Sequence, residues 1–148
     1  MKRTVINECK VRFPALSRNE GLSRSAAAAF ALQCDPTVEE IAAVKTAVSE
    51  AVTNAIVHGY RDMSGEVEMT MRLFSDSTFY IQIRDRGWGI ADVEQAMEPT
   101  YTTAPEDEER SGLGFTVMES FMDKVRMRSA EGRGTCVVME KKIVGKAV

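Results

Sequence analysis

The spacing of apolar residues along the chain changes near residue 60. From about Thr37 to His58 they recur every three or four positions, which is the period of an amphipathic helix. Over residues 66–73 apolar and polar side chains alternate, as is typical of a half-buried strand. The pattern therefore predicts one long helix followed by the strands of a sheet.

Capping and turn residues divide the rest of the chain. A short strand over residues 8–13, ended by Pro14, is predicted to lie at a sheet edge. Ser17 with Glu20, and Thr37 with Glu40, have the spacing of a capping box, which predicts a helix start at both places. The other predicted elements are a strand over 79–83, short helices over 92–97 and 115–122, and a hairpin formed by 124–128 and 135–143.

This order of hairpins and helices predicts an α+β fold. We expect a two-layer sandwich in which a mixed, mostly antiparallel sheet carries helices on one face. With 148 residues, of which 44% are hydrophobic and 28% charged, the composition fits a single domain over residues 1–148.

Charge and cysteine content narrow the functional classes. A net charge of -3 argues against a protein that holds nucleic acid by its phosphates, and the basic stretch 124–133 is interpreted as the solvated side of a strand pair. Cys9, Cys34 and Cys136 form no CxxC pair, and His58 is the single histidine, which argues against a zinc site or a disulfide framework. We expect buried, reduced thiols in a cytoplasmic protein without a secretion signal or a membrane span.

A row of polar residues follows the apolar face of the long helix. Glu50, Asn54 and His58 are spaced i, i+4 and i+8, which places them one above the other on a helix. A carboxylate and an amide beside a core need partners, because burying them unpaired is costly. His58 is interpreted as a packing or capping residue, whereas Glu50 and Asn54 are candidates for chemistry.

Two glycine-containing segments complete a constellation: Asp85-x-Gly87-x-Gly89 after a strand, and Gly112-Leu113-Gly114 before a helix. Each segment alone could be only a turn or a joint, as Glu50 and Asn54 alone could be a solvated helix edge. Together they supply a carboxylate for an exocyclic amine, close backbone approach, a metal ligand and phosphate donors at a helix start. That set suits a nucleotide site that lacks a P-loop.

In this order the three segments resemble the N, G1 and G2 boxes of the GHKL (Bergerat-fold) ATP-binding superfamily. Residues 49–60, Thr102-Thr103 and residues 109–119 look like the anti-sigma serine kinases of that superfamily, and in particular those that control sporulation. Residues 15–20 and 35–37 fit as well, so the similarity covers nearly the whole chain.

The resemblance implies a role for each matching residue. Glu50 would take the proton from an attacking serine hydroxyl, and Asn54 would hold Mg²⁺ against the phosphates of ATP or ADP. Asp85 would accept a hydrogen bond from the adenine amine, while Gly87 and Gly89 would let the backbone approach the base.

The remaining matches surround these residues. A lid over about 98–111 would close on the phosphates, with Arg110 offsetting their charge; from the residues alone, Arg110 could instead pair with Glu108 or Glu109. The other implied contacts are the lid residues Thr102 and Thr103, the phosphate donors Gly112 and Gly114, Thr135 at the adenine end, and Arg24 for a protein partner.

The resemblance also implies the partners. The protein would act as a homodimer, with the edge strand 8–13 in the interface, and without contacting nucleic acid or membrane. With ATP it would bind and inhibit a sporulation sigma factor, and it would inactivate an anti-anti-sigma factor by phosphorylating a serine. Three alternatives remain open: a stress-response kinase acting on another sigma factor, a binding module without transfer, and an α+β domain whose glycines only form turns.

Overall fold

The computed structural model describes residues 3–60, 64–87, 114–130 and 132–145. Five strands form one sheet in the order β1-β2-β3-β5-β4, and each of these pairings is antiparallel. The strands are β1 (Val5–Pro14), β2 (Glu66–Phe74), β3 (Thr78–Asp85), β4 (Lys124–Ala130) and β5 (Gly134–Lys142). The α-helices are α1 (Glu20–Ala31), α2 (Val38–Asn54) and α3 (Gly114–Phe121). The predicted α+β class is confirmed.

Helices cover one face of this sheet. The inward side chains of β2, β3 and β5 alternate with outward ones, and Phe79 packs its ring against Phe30 of α1 at 6.3 Å. The largest fully buried side chains are Phe79, Met69, Met71, Leu73, Ile81, Ile83, Met118, Met139, Val44, Val48, Val52 and Val67. The core therefore lies between the sheet and the apolar faces of α1, α2 and α3.

Strand β1 lies at the sheet edge, as predicted, and pairs with β2 from Val5 to Pro14. It is longer than the predicted 8–13. Pro14 forms the last pair, opposite Glu66, where the missing N–H of a proline costs least.

One of the two predicted capping boxes is confirmed. Thr37 Oγ1 accepts the N–H of Glu40 at 3.1 Å, and the Glu40 carboxylate accepts the N–H of Thr37 at 2.9 Å. The box predicted for Ser17 and Glu20 is wrong. The N–H of Glu20 donates to the carbonyl of Ser17 in a 3-10 turn, and the Glu20 carboxylate is drawn instead to Ser49 and Arg24.

The long helix does not keep one geometry to His58. Regular α-helix ends at Asn54, and a π turn follows over Ala55–Gly59. The N–H of Tyr60 closes this turn on the carbonyl of Ala55, five residues back, at 3.2 Å. Glu50 and Asn54 therefore keep their one-turn spacing, whereas the π turn interrupts the predicted row before His58.

The cysteine prediction is partly wrong. Cys9, Cys34 and Cys136 are free thiols, but each is only half-buried. The basic stretch is exposed as predicted, because Lys124, Arg126 and Arg128 alternate outward along β4. No helix in the described ranges is long and apolar enough to cross a membrane. The predicted helix over 92–97 and the predicted lid over 98–111 lie outside the described residues.

Candidate functional site

Glu50 and Asn54 occupy the last turns of α2, and both are half-buried. The opposite side of the helix is fixed in the core by Val44, Val48 and Val52, which are fully buried. Because these valines set the rotation of α2, the helix holds the carboxylate and the amide along the border between core and solvent.

The side chain of Glu50 faces an open groove of about 370 Å³ between α1 and α2. Arg24 of α1 lines the same groove, together with Ala42, Lys45, Thr46 and Ser49. The Glu20 carboxylate joins the two helices, since it accepts the hydroxyl of Ser49 and pairs with Arg24 at 3.4 Å. The structure thus brings the predicted base and the predicted partner-contact residue into one groove.

Asp85 is the last residue of β3, and it is buried with 4% of its surface exposed. Its Oδ1 accepts the N–H of Gly87 at 3.0 Å. Burial raises the pKa of this carboxyl to about 6, although the backbone N–H groups of Gly87 and Thr135 partly lower it. Within the described ranges no cation adds to these effects, so the carboxylate has capacity for a neutral donor such as an amine.

The first two residues of β5 form the wall beside Asp85. Thr135 pairs with Asp85 across the sheet and is itself buried. Its hydroxyl lies 2.8 Å from Ser129 Oγ, which also donates to the carbonyl of Gly134 at 3.0 Å. Ser129 was not predicted, because nothing in the local sequence of β4 distinguishes it from other strand serines.

The π turn joins these parts. It contacts β3 and β5, so the segment that follows Asn54 lies against the two strands that carry Asp85 and Thr135. The α2 helix also packs on α3, which begins at Gly114. The described members of the predicted constellation therefore belong to elements in mutual contact.

The structure describes some of the remaining predicted residues and leaves others outside its described ranges. Gly87 is described and buried beside Asp85, and Gly114 is the first residue of α3. The side chain of His58 is outside the description. The predicted residues that lie outside the described ranges are Gly89, Thr102, Thr103, Arg110 and Gly112.

The donor set fits an adenine nucleotide with its magnesium ion. A buried carboxylate that, among the described residues, is held by backbone N–H groups suits the exocyclic amine of adenine. No group of three or more His, Cys, Asp or Glu side chains forms a metal cluster in the described part of the chain. Asn54 offers an amide oxygen from the last residue of α2, and a magnesium ion held there would complete its shell with phosphates and water.

Sequence comparisons find relatives of this chain over most of its length. A family model described as a histidine kinase-like ATPase domain matches residues 13–141. An anti-sigma F factor of Clostridium acetobutylicum is 51% identical over 136 residues, which are 92% of this chain and 94% of that protein. An anti-sigma F factor of Clostridium novyi is 53% identical over 138 residues, which are 93% and 95% of the two chains.

Solved structures share the fold at low identity. The RsbU and RsbW domains of a Mycobacterium tuberculosis protein superpose with a TM-score of 0.68 and 18% identity, over 96% of this chain and 34% of that longer one. The mycobacterial sensor histidine kinase MprB gives a TM-score of 0.58 and 14% identity, over 95% and 100%. The chain therefore belongs to the histidine kinase-like ATPase domain family, in the group formed by the anti-sigma F factors.

Proposed function

We propose that the protein is a cytoplasmic anti-sigma factor and a protein serine kinase. With ATP it binds and inhibits the sporulation sigma F factor, and it phosphorylates a serine of the anti-anti-sigma factor to inactivate that antagonist. The observation that carries the proposal is the contact between β3, which ends at the buried Asp85, and the π turn that follows Glu50 and Asn54. It supports an adenine acceptor, a base and a metal ligand in one site, and the chain is about half identical to anti-sigma F factors.

Nucleotide selection rests on Asp85. Its carboxylate accepts the adenine 6-amino group, and Thr135 supports the same end of the pocket from β5. The raised pKa favours this role, because an amine donor relieves a buried carboxylate to which no described residue brings a cation. Gly87 and Gly89 admit the base, while Gly112 and Gly114 donate N–H groups to the phosphates.

Phosphoryl transfer needs positioning and charge compensation more than covalent chemistry. Mg²⁺ supplies charge neutralisation on the transferred group when it is bound. Asn54 holds the ion from the last turn of α2, and Glu50, one turn earlier, takes the proton of the incoming serine hydroxyl. Thr102, Thr103 and Arg110 belong to the lid, where Arg110 offsets phosphate charge.

The partner surface includes the groove between α1 and α2. Arg24 and Glu50 line this groove together, so a substrate protein that contacts Arg24 is brought close to the base. The exposed edge of β1 is available for a second copy of the chain, and we assign the homodimer interface there.

The test uses the whole protein with the sigma F factor and the anti-anti-sigma factor of the same organism. We expect ATP with magnesium to increase capture of the sigma factor, and mass spectrometry to find one phosphoserine on the anti-anti-sigma factor. Nucleotide-dependent capture without any phosphoserine would identify a binding module instead. Failure to bind ATP and ADP would overturn the proposal as a whole.

A further inference from the structure

Tyr60 is a buried tyrosine that follows the π turn, and its side chain is 4% exposed. Its hydroxyl donates to the carbonyl of Glu66 at 2.5 Å, where β2 begins. The same oxygen accepts the N–H of Arg86 at 2.8 Å, directly after β3 ends. One phenol therefore joins the end of the long helix to two strands, with its single donor and an acceptor site both in use.

The ring of Tyr60 packs directly against the backbone of Gly65. A Cβ at Gly65 would collide with the ring carbons Cε1, Cζ and Cδ1. Only glycine leaves room at that position, so the backbone before β2 closes directly on the ring and fixes the phenol.

The hydroxyl of Tyr60 forms a hydrogen bond with the backbone of the residue that follows Asp85. The N–H of Arg86 is held by Tyr60, and the N–H of Gly87 is held by the Asp85 carboxylate at 3.0 Å. Gly134 also approaches this backbone so closely that a Cβ there would lie 2.6 Å from Arg86 Cα. The backbone that follows Asp85 is therefore in contact with both Tyr60 and Gly134.

We propose that Tyr60 is a positioning residue for base selection: it aims the Asp85 carboxylate at the 6-amino group of adenine and fixes the distance from Asp85 to Asn54. This inference rests on the proposed function. Tyr60 need not touch the nucleotide, since it acts through the backbone at Arg86. Its loss should harm recognition of the amine more than binding of the phosphates.

The variant that isolates the hydroxyl is Tyr60→Phe. It keeps the aromatic ring in place and leaves the Arg86 N–H and the Glu66 carbonyl without their shared partner. Tyr80→Phe is the matched control, because the described partner of the Tyr80 hydroxyl is the Gln82 side chain at 3.2 Å, and Tyr80 lies five residues before Asp85 on β3. Gly65→Ala is a second variant, which keeps the hydroxyl but displaces the ring.

The experiment measures the dissociation constants of ADP and of purine riboside diphosphate, which lacks the 6-amino group, by calorimetry at pH 8 with magnesium. We expect Tyr60→Phe to weaken ADP about tenfold and the analogue less than about threefold, as the loss of one oriented hydrogen bond implies. Gly65→Ala should also reduce the preference for ADP over the analogue. Tyr80→Phe should leave this preference unchanged.

A wild-type preference for ADP that survives in both Tyr60→Phe and Gly65→Ala would overturn the inference and leave the proposed function standing. Equal weakening of both ligands would also overturn it, because that result indicates a general loss of structure. If Tyr60→Phe does not fold, the preference of Gly65→Ala for ADP over the analogue tests the inference alone. Wild-type protein that binds neither ligand would overturn this inference together with the proposed function.

Discussion

Gly134 packs directly against the backbone of Asp85. A Cβ at Gly134 would collide with the Asp85 carbonyl, and the φ of Gly134 is +87°, in the left-handed region. Gly132 has a similar φ of +79°, yet a Cβ there would meet nothing within 4 Å. The two glycines of this turn thus both have a left-handed backbone, but of the two only Gly134 packs against Asp85.

This difference gives the first prediction. Gly132→Ala should cost about 1–2 kcal/mol of unfolding free energy, the cost of a left-handed alanine. Gly134→Ala carries the same strain and a backbone collision, so we expect it to lose at least about 2 kcal/mol more, as overpacking does. Urea unfolding of both variants measures the difference. Equal losses of unfolding free energy would show that the start of β5 can move away from Asp85 at no cost in free energy.

The second prediction concerns the pH dependence of stability at Asp85. Its pKa is raised from 3.8 to about 6, so between these values the folded protein holds a proton that the unfolded chain has lost. The free energy of unfolding should therefore fall, by up to about 3 kcal/mol, as pH rises from about 4 to about 6. Above that range the contribution is constant.

Asp85→Asn removes this titration. Urea unfolding of wild type and variant at half-unit steps from pH 4 to pH 7 gives a difference curve in which shared titrations cancel. We expect the wild type to lose stability relative to the variant as pH rises. Parallel profiles would mean that the carboxyl titrates with an ordinary pKa in the folded protein.

The third prediction concerns the start of α2, which orients Glu50 and Asn54. Thr37→Ala removes the side-chain half of the capping box and should cost about 1 kcal/mol. Thr46→Ala is the control, because the Thr46 hydroxyl donates within the helix to the carbonyl of Ala42, with no other described partner. Its expected effect on thermal unfolding is near zero, and a similar loss in both variants would rule out a special role for the cap.

Glu40 extends this cap to the end of the described chain. Its carboxylate accepts the N–H of Val144 at 2.7 Å and the N–H of Gly145 at 3.0 Å. Burial raises the pKa of Glu40, but the hydrogen bonds from Thr37, Val144 and Gly145 outweigh it and lower the pKa overall. The stabilisation from Glu40 is therefore present at neutral pH and lost as pH falls through its lowered pKa.

The fold could be predicted from the sequence because its elements carry strong local signals. The alternation over 66–73 and the Thr37–Glu40 box gave β2 and the start of α2. The Ser17–Glu20 box failed because Ser49, distant in sequence, provides a competing partner for Glu20. Local spacing contains no information about such tertiary contacts.

The sequence motifs predict the candidate site residues but not the residues that support them. Asp85 and Asn54 belong to recognisable segments, whereas the roles of Tyr60 and Ser129 depend on strands that meet only in the fold. The π turn after Asn54 was also missed, because it does not change the hydrophobic period of the helix before it.

Glu50 is, in our proposal, the base of a kinase whose nucleotide is held by other residues. Glu50→Gln keeps the size of the side chain and removes its basicity. Glu39→Gln is the control, since Glu39 is exposed in the first turn of the same helix.

The most direct measurement is the rate of phosphoserine formation on the anti-anti-sigma factor, with the dissociation constant of ATP measured in parallel. For Glu50→Gln we predict a rate at least about a hundredfold lower, as the loss of a general base implies, with ATP affinity within about threefold of wild type. Glu39→Gln should match wild type in both. Transfer by Glu50→Gln at close to the wild-type rate would contradict the account.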